Sequence, residues 1–224
     1  MKLYNMDETY LSYDEKPAHD HNGNRGHDKS NYIHPTAVIF SGVVMGKGNY
    51  IGPYCVIGAP AEHRGSWNPR EPGRVVIGNN NIFTGHVTID ASYLTDGHTI
   101  VIDDCYFMKH SHVGHDAYIG QRVTLSVGAV VGGHTFICDF TNVGCNAFIH
   151  QRQVIAPYCM IGAGAVITAK TETQPVNTYA GNPARFLGEN KAHSEVLTGQ
   201  LKQAIWVKFN QDKEIMKSIA NKTM

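Results

Sequence analysis

The sequence lacks several things that would decide its class at once. No apolar run approaches the roughly 18 residues of a membrane span. Charge of one sign is missing too: Lys+Arg and Asp+Glu are both 19, for a formal net charge of zero. A chain without basic excess has no surface for tracking phosphates, which excludes nucleic acid as the main partner. No CxxC occurs among the five cysteines, Cys55, Cys105, Cys138, Cys145 and Cys159. An odd, unclustered set points to neither a disulfide framework nor a thiolate zinc site, and fits a reducing compartment. The opening MKLYNMDETYLSYDEK lacks the basic-then-apolar order of a leader, so a cytoplasmic protein is expected. No G-x-S-x-G elbow occurs, so no serine triad is expected.

What is present is a 42% apolar share over 224 residues, enough to fill a core, with 23 glycines and 13 histidines. The apolar residues are ordered. From Val101 every sixth residue is aliphatic or aromatic: Val101, Phe107, Val113, Ile119, Leu125, Val131, Ile137, Val143, Ile149, Ile155, Ile161 and Ile167. The fifth position of the hexad is small, as in Cys105, Ser111, Ala117, Ala129, Thr135 and Ala147, with Val123 and Gln153 as exceptions. Glycine recurs at the second position, in Gly114, Gly120, Gly132, Gly144 and Gly162. The same phase reaches back through Ile77, Phe83 and Ile89. A shifted phase runs through Ile33, Ile39, Met45, Ile51 and Ile57.

A period of six fits neither a helix nor simple alternation. It predicts a coil of short strands joined by tight corners, with the large residue inward, the small one beside it and glycine easing the corner. Cys55, Cys105 and Cys159 fall at the small inward position and read as packing; Cys138 and Cys145 fall off it and read as partly exposed. This pattern resembles the hexapeptide-repeat family, which implies an all-β solenoid, a left-handed parallel β-helix with three hexads per coil. About seven coils would rise roughly 33 Å.

The punctuation divides the chain into a polar arm (1–31) holding His19, His21 and His27, a β-helix (32–187) and a C-terminal helical cap (188–224). Loops interrupt the helix at 59–74, where Trp67 is a candidate anchor or platform, and at 90–100, although Thr95 keeps the phase. Leu197, Leu201, Ile205 and Phe209 recur at four-residue spacing after Ser194, a candidate N-cap. A second short helix is read through Ile215, Met216 and Ile219. Such helices are expected to cover the open coil end or a neighbouring subunit.

The densest chemistry is KHSHVGHD (109–116), followed by GGH (132–134) and HQ (150–151). With IHPTAVI (33–39), IGPYCVIGAP (51–60) and EPGRVVIGNNN (71–81), these motifs resemble the UDP-N-acetylglucosamine O-acyltransferases of lipid A synthesis. The resemblance implies His115 as general base, Asp116 orienting it, and the Gly133 N–H facing the developing oxyanion. It implies His112, His134, His150 and Gln151 as binding residues. In the loop where that family has a basic contact to the nucleotide sugar stand Arg64 and Arg70, and Asp90 replaces its usual histidine. The exit AGNPAR (180–185) is similar to that of acetyl-CoA-dependent sugar acetyltransferases, which implies a pantetheine arm against Ala163, Gly181, Asn182 and Ala184.

The implied activity is transfer of an acyl group from acyl-CoA or acyl carrier protein to a sugar or nucleotide sugar. No tightly bound cofactor or metal is implied, and the family works as a homotrimer with its sites between subunits. A histidine suits the proton transfer because its ordinary pKa lies near neutrality. Two other readings stand beside this one. His86, His110 and His115 resemble the ligands of a γ-class carbonic-anhydrase-like zinc hydratase. A catalytically inactive trimeric scaffold would keep the coil without the chemistry.

Overall fold

The computed structural model describes residues 30–64, 73–94 and 96–221. His19, His21, His27, Trp67, Arg70 and Thr95 lie outside these residues. The chain winds as a triangular coil, one short strand to a side. The first coil is β1 (Tyr32–Ile33), β2 (Val38–Ile39) and β3 (Val43–Met45). The second is β4 (Tyr50–Ile51), β5 (Val56–Ala59) and β6 (Arg74–Ile77). The third is β7 (Ile82–Phe83), β8 (Thr88–Asp90) and β9 (His98–Val101). Three regular coils follow: β10 (Tyr106–Phe107), β11 (His112–Val113) and β12 (Tyr118–Ile119); β13 (Thr124–Leu125), β14 (Val130–Val131) and β15 (Phe136–Ile137); β16 (Asn142–Val143), β17 (Phe148–Ile149) and β18 (Val154–Ile155). The last turn holds β19 (Met160–Ile161) and β20 (Val166–Ile167), then β21 (Asn177–Ala180) and β22 (Arg185–Glu189). Two helices end the fold, α1 (Lys191–Ser194) and α2 (Gly199–Asn221).

The sides stack into three parallel sheets, A from β1 to β21, B from β2 to β20 and C from β3 to β18, with β22 returning antiparallel on β21. In the regular coils partners are one coil apart, Phe107 beside Leu125 and Ile119 beside Ile137. The second residue of each two-residue strand points inward, so Phe107, Val113, Ile119 and Leu125 have no exposed surface. Burial of each contributes about 1.5–3 kcal/mol. Inside, Phe83 stacks on Phe107 at 4.6 Å. Buried Asn49 and Asn81 tie successive coils: Asn81 N–H donates to Asn49 Oδ1 (2.9 Å) and Cys105 N–H to Asn81 Oδ1 (2.8 Å).

Three expectations change. The recurrent glycines do not supply the left-handed corner residue. That place is taken mostly by non-glycines, among them His110 (φ 61), Asp116 (φ 58) and His134 (φ 56), with Gly128 and Gly164 at two of the corners. The glycines allow coils to approach: a Cβ on Gly132 would lie 2.6 Å from the Gln151 nitrogen. Next, α2 is one helix of 23 residues, capped by Thr198, whose Oγ1 accepts the Leu201 N–H (3.3 Å), and not by Ser194. It lies over β18 on the outer side of sheet C, where it buries Phe136 and Val154, rather than across the end of the coil. Finally, only Cys145 is exposed. Cys138 is buried under α2, its sulfur 4.0 Å from Met216 Sδ. Burial pushes the Cys105 and Cys159 thiols up to about 12, as suits packing groups. Among the described residues no helix is long and apolar enough to cross a membrane.

Candidate functional site

Sheets B and C meet along one edge of the triangle, and both interruptions of the repeat, β5 to β6 and β8 to β9, fall there. The same edge carries His115 and Asp116 between β11 and β12, and His134 one coil on between β14 and β15. The hexads hold this backbone rigid: His134 N–H donates to the His115 carbonyl (2.9 Å), and Arg152 N–H to that of Gly133 (2.9 Å).

His115 Nδ1 lies 3.0 Å from Asp116 Oδ2, and the two side chains are 13% and 5% exposed. Burial pushes the Asp116 carboxyl up. Hydrogen bonds from His115 and Ser92 and the neighbouring imidazoles outweigh this and hold it below its ordinary value. An ionised carboxylate only accepts, so Nδ1 carries a proton, and in the neutral imidazole the lone pair is then on Nε2. Gly133 presses on the same ring: a Cβ there would lie 2.7 Å from Nε2. His134 Nε2 stands 3.9 Å from Asp116 Oδ2. Burial lowers its pKa to about 4 despite the carboxylate, so it is neutral at pH 7.

His112 and Asp90 belong to the same neighbourhood. His112 Nδ1 is 2.8 Å from Thr88 Oγ1, and its Nε2 is 3.8 Å from Asp90 Oδ2. Burial raises the Asp90 carboxyl, opposed by His112 and reinforced by Glu62. His150 and Gln151 sit one coil beyond Gly132 and Gly133, so Gln151 is two inter-strand spacings from the level of His115, about 10 Å. With Arg152, Glu172, Lys213 and Lys217 they line a cavity of about 350 Å³. Arg64 is exposed beside His63.

The remaining assignments separate. Ala163, Gly181 and Asn182 are exposed, and Ala184 buried, around the edge between sheets A and B. Within one chain they do not reach His115. The zinc set does not assemble in one chain either. His86 and His110 stack on each other (4.8 Å) at the A–B edge, nearly one whole side away from His115, although His110 is near it in sequence. Among the described residues the His/Cys/Asp/Glu group within ligand spacing is His115, Asp116 and His134.

The sequence reading missed His63, Ser92 and Tyr93. His63 and Tyr93, from the two interruptions, stack at 4.6 Å and 5°. Tyr93 stands edge-on to His115 (4.9 Å) and His134 (5.7 Å). No periodic signal marks these residues. Their only sign is that they follow strands whose next corner holds the histidines.

No family model matches the chain. In sequence it is similar to an acyl-[acyl-carrier-protein]–UDP-N-acetylglucosamine O-acyltransferase of Burkholderia orbicola (strain MC0-3), with 33% identity over 147 residues, 65% of this chain and 55% of that protein. The counterpart of Burkholderia vietnamiensis (strain G4) is 34% identical over the same length. The chain thus spans about half the length of the curated relatives it matches. In structure it is similar to a UDP-N-acetylglucosamine acyltransferase from Bacteroides fragilis 9343, with TM-score 0.71 and 26% identity, over 82% of this chain and 71% of that one. The fold is the left-handed parallel β-helix of these neighbours. Motifs and comparisons agree on the hexapeptide-repeat acyltransferase resemblance.

Proposed function

We propose that this chain, which shares the fold and part of the sequence of UDP-N-acetylglucosamine O-acyltransferases, moves an acyl group from a thioester to a hydroxyl or amine of a sugar or nucleotide sugar. The observation that carries the reading is the His115–Asp116 pair at 3.0 Å with Gly133 against the imidazole, all on regular coils. In the proposed reaction His115 Nε2 takes the acceptor's proton as its oxygen or nitrogen attacks the thioester carbonyl carbon. Asp116 holds Nδ1–H and stabilises the imidazolium. The Gly133 N–H donates to the oxyanion, a contribution typically worth about 10²–10³ in rate. Collapse of the tetrahedral intermediate breaks the C–S bond, and the departing thiolate takes the proton back from His115. The chain forms no covalent intermediate in this scheme.

His112, His134, His150, Gln151, Arg64 and Asp90 bind the acceptor or the incoming acyl group. Ala163, Gly181, Asn182 and Ala184 take the pantetheine arm of acyl-CoA or acyl carrier protein, the donor named for the Burkholderia relatives. Because these residues occupy a different edge from His115, the reading calls for a homotrimer in which the edges of neighbouring subunits face each other. The proposed compartment is the cytoplasm, where such donors are made. A screen of acetyl-CoA, longer acyl-CoAs and acyl carrier protein against nucleotide sugars, scored by free thiol, tests the activity. Acceptor-dependent thiol release supports it, and its absence with every pair overturns it.

A further inference from the structure

Ser92 lies in the second interruption and is 1% exposed. Its backbone is gripped by the start of β6: Ser92 N–H donates to the Arg74 carbonyl (3.2 Å), and Gly73 packs so tightly on the Ser92 carbonyl that a Cβ would lie 1.5 Å from its oxygen. Its hydroxyl oxygen accepts the Leu94 N–H (3.0 Å). A hydroxyl has a single proton to give, and the Ser92 proton is directed at Asp116 Oδ1, with which Ser92 Oγ forms a short hydrogen bond. Gly97 leaves the room for this contact: a Cβ there would lie 2.3 Å from Ser92 Oγ and 2.8 Å from Asp116 Oδ1. From the other side, Asp116 N–H donates to Thr99 Oγ1 (2.7 Å), and Thr99 is fully buried. Both carboxylate oxygens are therefore committed, Oδ1 to Ser92 and Oδ2 to His115.

We propose that Ser92 is a positioning residue of the proposed active site, locking the Asp116 carboxylate in the one rotation that presents Oδ2 to His115 Nδ1–H. The inference rests on the acyltransferase reading for its catalytic consequence, but its geometry stands apart from it. Without the hydroxyl, Asp116 is free to turn about its terminal bond. The imidazole then loses the fixed partner that sets its tautomer and aims Nε2 at the acceptor. The interruption at residues 91–97 thus supplies a part that the regular hexads do not.

The test compares Ser92→Ala and Ser92→Thr with wild type in the full chain, by steady-state kinetics, thermal melting and the ¹⁵N resonances of the His115 imidazole without substrate. Ser92→Ala is expected to lower kcat by about 10–100-fold, as for loss of a charge-assisted hydrogen bond, with KM for donor and acceptor within about twofold. Its melt should stay close to wild type, its Nδ1–H resonance should move, and Ser92→Thr should restore rate and resonance together. An unmoved resonance in Ser92→Ala overturns the inference whatever the rate does. So does a moved resonance with kcat within about twofold of wild type. If wild type transfers no acyl group, the functional reading fails and the resonance alone decides the positioning role.

Discussion

Two edges of the solenoid turn on left-handed corner residues and carry aromatic rings beside them, yet only one has the makings of a reactive site. On the A–B edge Tyr54, His86 and His110 stack at 4.9 and 4.8 Å, with planes inclined by 27° and 28° and φ of 57°, 52° and 61°. On the B–C edge His115 and His134 meet edge-on at 5.0 Å, with Asp116 between the coils. Left-handed corners alone do not make the difference, since Asp116 and His134 occupy them too. The interruptions do: both leave sheet B and enter sheet C, so they pile His63, Asp90, Ser92 and Tyr93 onto one edge and leave the other in solvent. The rings they bury lose hydration, the carboxylates gain fixed donors, and one imidazole is held neutral. A ladder of histidines becomes chemically distinctive only where the repeat is broken beside it.

The largest effect expected is the contrast of His115→Ala with His110→Ala. The first should cut acyl transfer by about 10² or more and leave the oligomer intact. The second should leave kcat within about twofold. Equal losses would break the contrast between edges. Gly133→Ala against Gly164→Ala sharpens it further. A methyl on Gly133 would collide with the His115 ring at 2.6 Å, whereas Gly164, at φ 65° on the A–B edge, has nothing within 4 Å of a Cβ. Gly133→Ala should lower kcat at least about 10-fold. Gly164→Ala should cost about 1 kcal/mol in chemical denaturation through its left-handed backbone, with kcat unchanged.

The last comparison concerns pH and is read in stability rather than in rate. His134 has its folded pKa lowered to about 4, below the ordinary 6.5. Between those values the unfolded chain binds a proton that the folded chain refuses, so stability falls as pH drops from about 6.5 to 4 and levels off below. His134→Gln should flatten that slope by up to one proton, at most about 1.4 kcal/mol per pH unit. A residual slope from His98 and His193, whose pKa values burial also lowers, should remain. An unchanged unfolding profile in the variant would remove His134 from the account.

The coil was legible because a six-residue side reports itself in every hexad from Val101 to Ile167. The dyad was legible because it sits inside that rhythm, where neighbours in sequence keep fixed places. Periodicity also tells which corner each residue takes: His110 and His115 look adjacent but are nearly a side apart, so their spacing alone was a misleading metal signal. Ser92, Tyr93 and His63 were not legible, because an interruption carries no phase from which to project a position. The two-helix reading of the C-terminus failed for a related reason. Between Phe209 and Ile215 the apolar spacing lapses, but Lys208 pairs with Asp212 at 2.8 Å and Lys213 reaches Glu172 at 3.4 Å within one continuous helix.

The spacing between paired residues has a consequence for how the molecule assembles itself. Thr124 is 18 residues beyond its partner Tyr106, but Tyr106 is 24 beyond Ile82, and Ile82 is 32 beyond Tyr50. Strand pairing between coils is always with a nearest neighbour, so structure can nucleate in one stretch and spread coil by coil. Closing the longer loops costs about 0.3 and 0.5 kcal/mol more than closing a regular coil. Growth from the regular coils toward the N-terminus therefore meets its longer closures first where β8 joins β11 and then where β5 joins β8. The segments that complete the B–C edge close last, after the histidines they enclose are already in place.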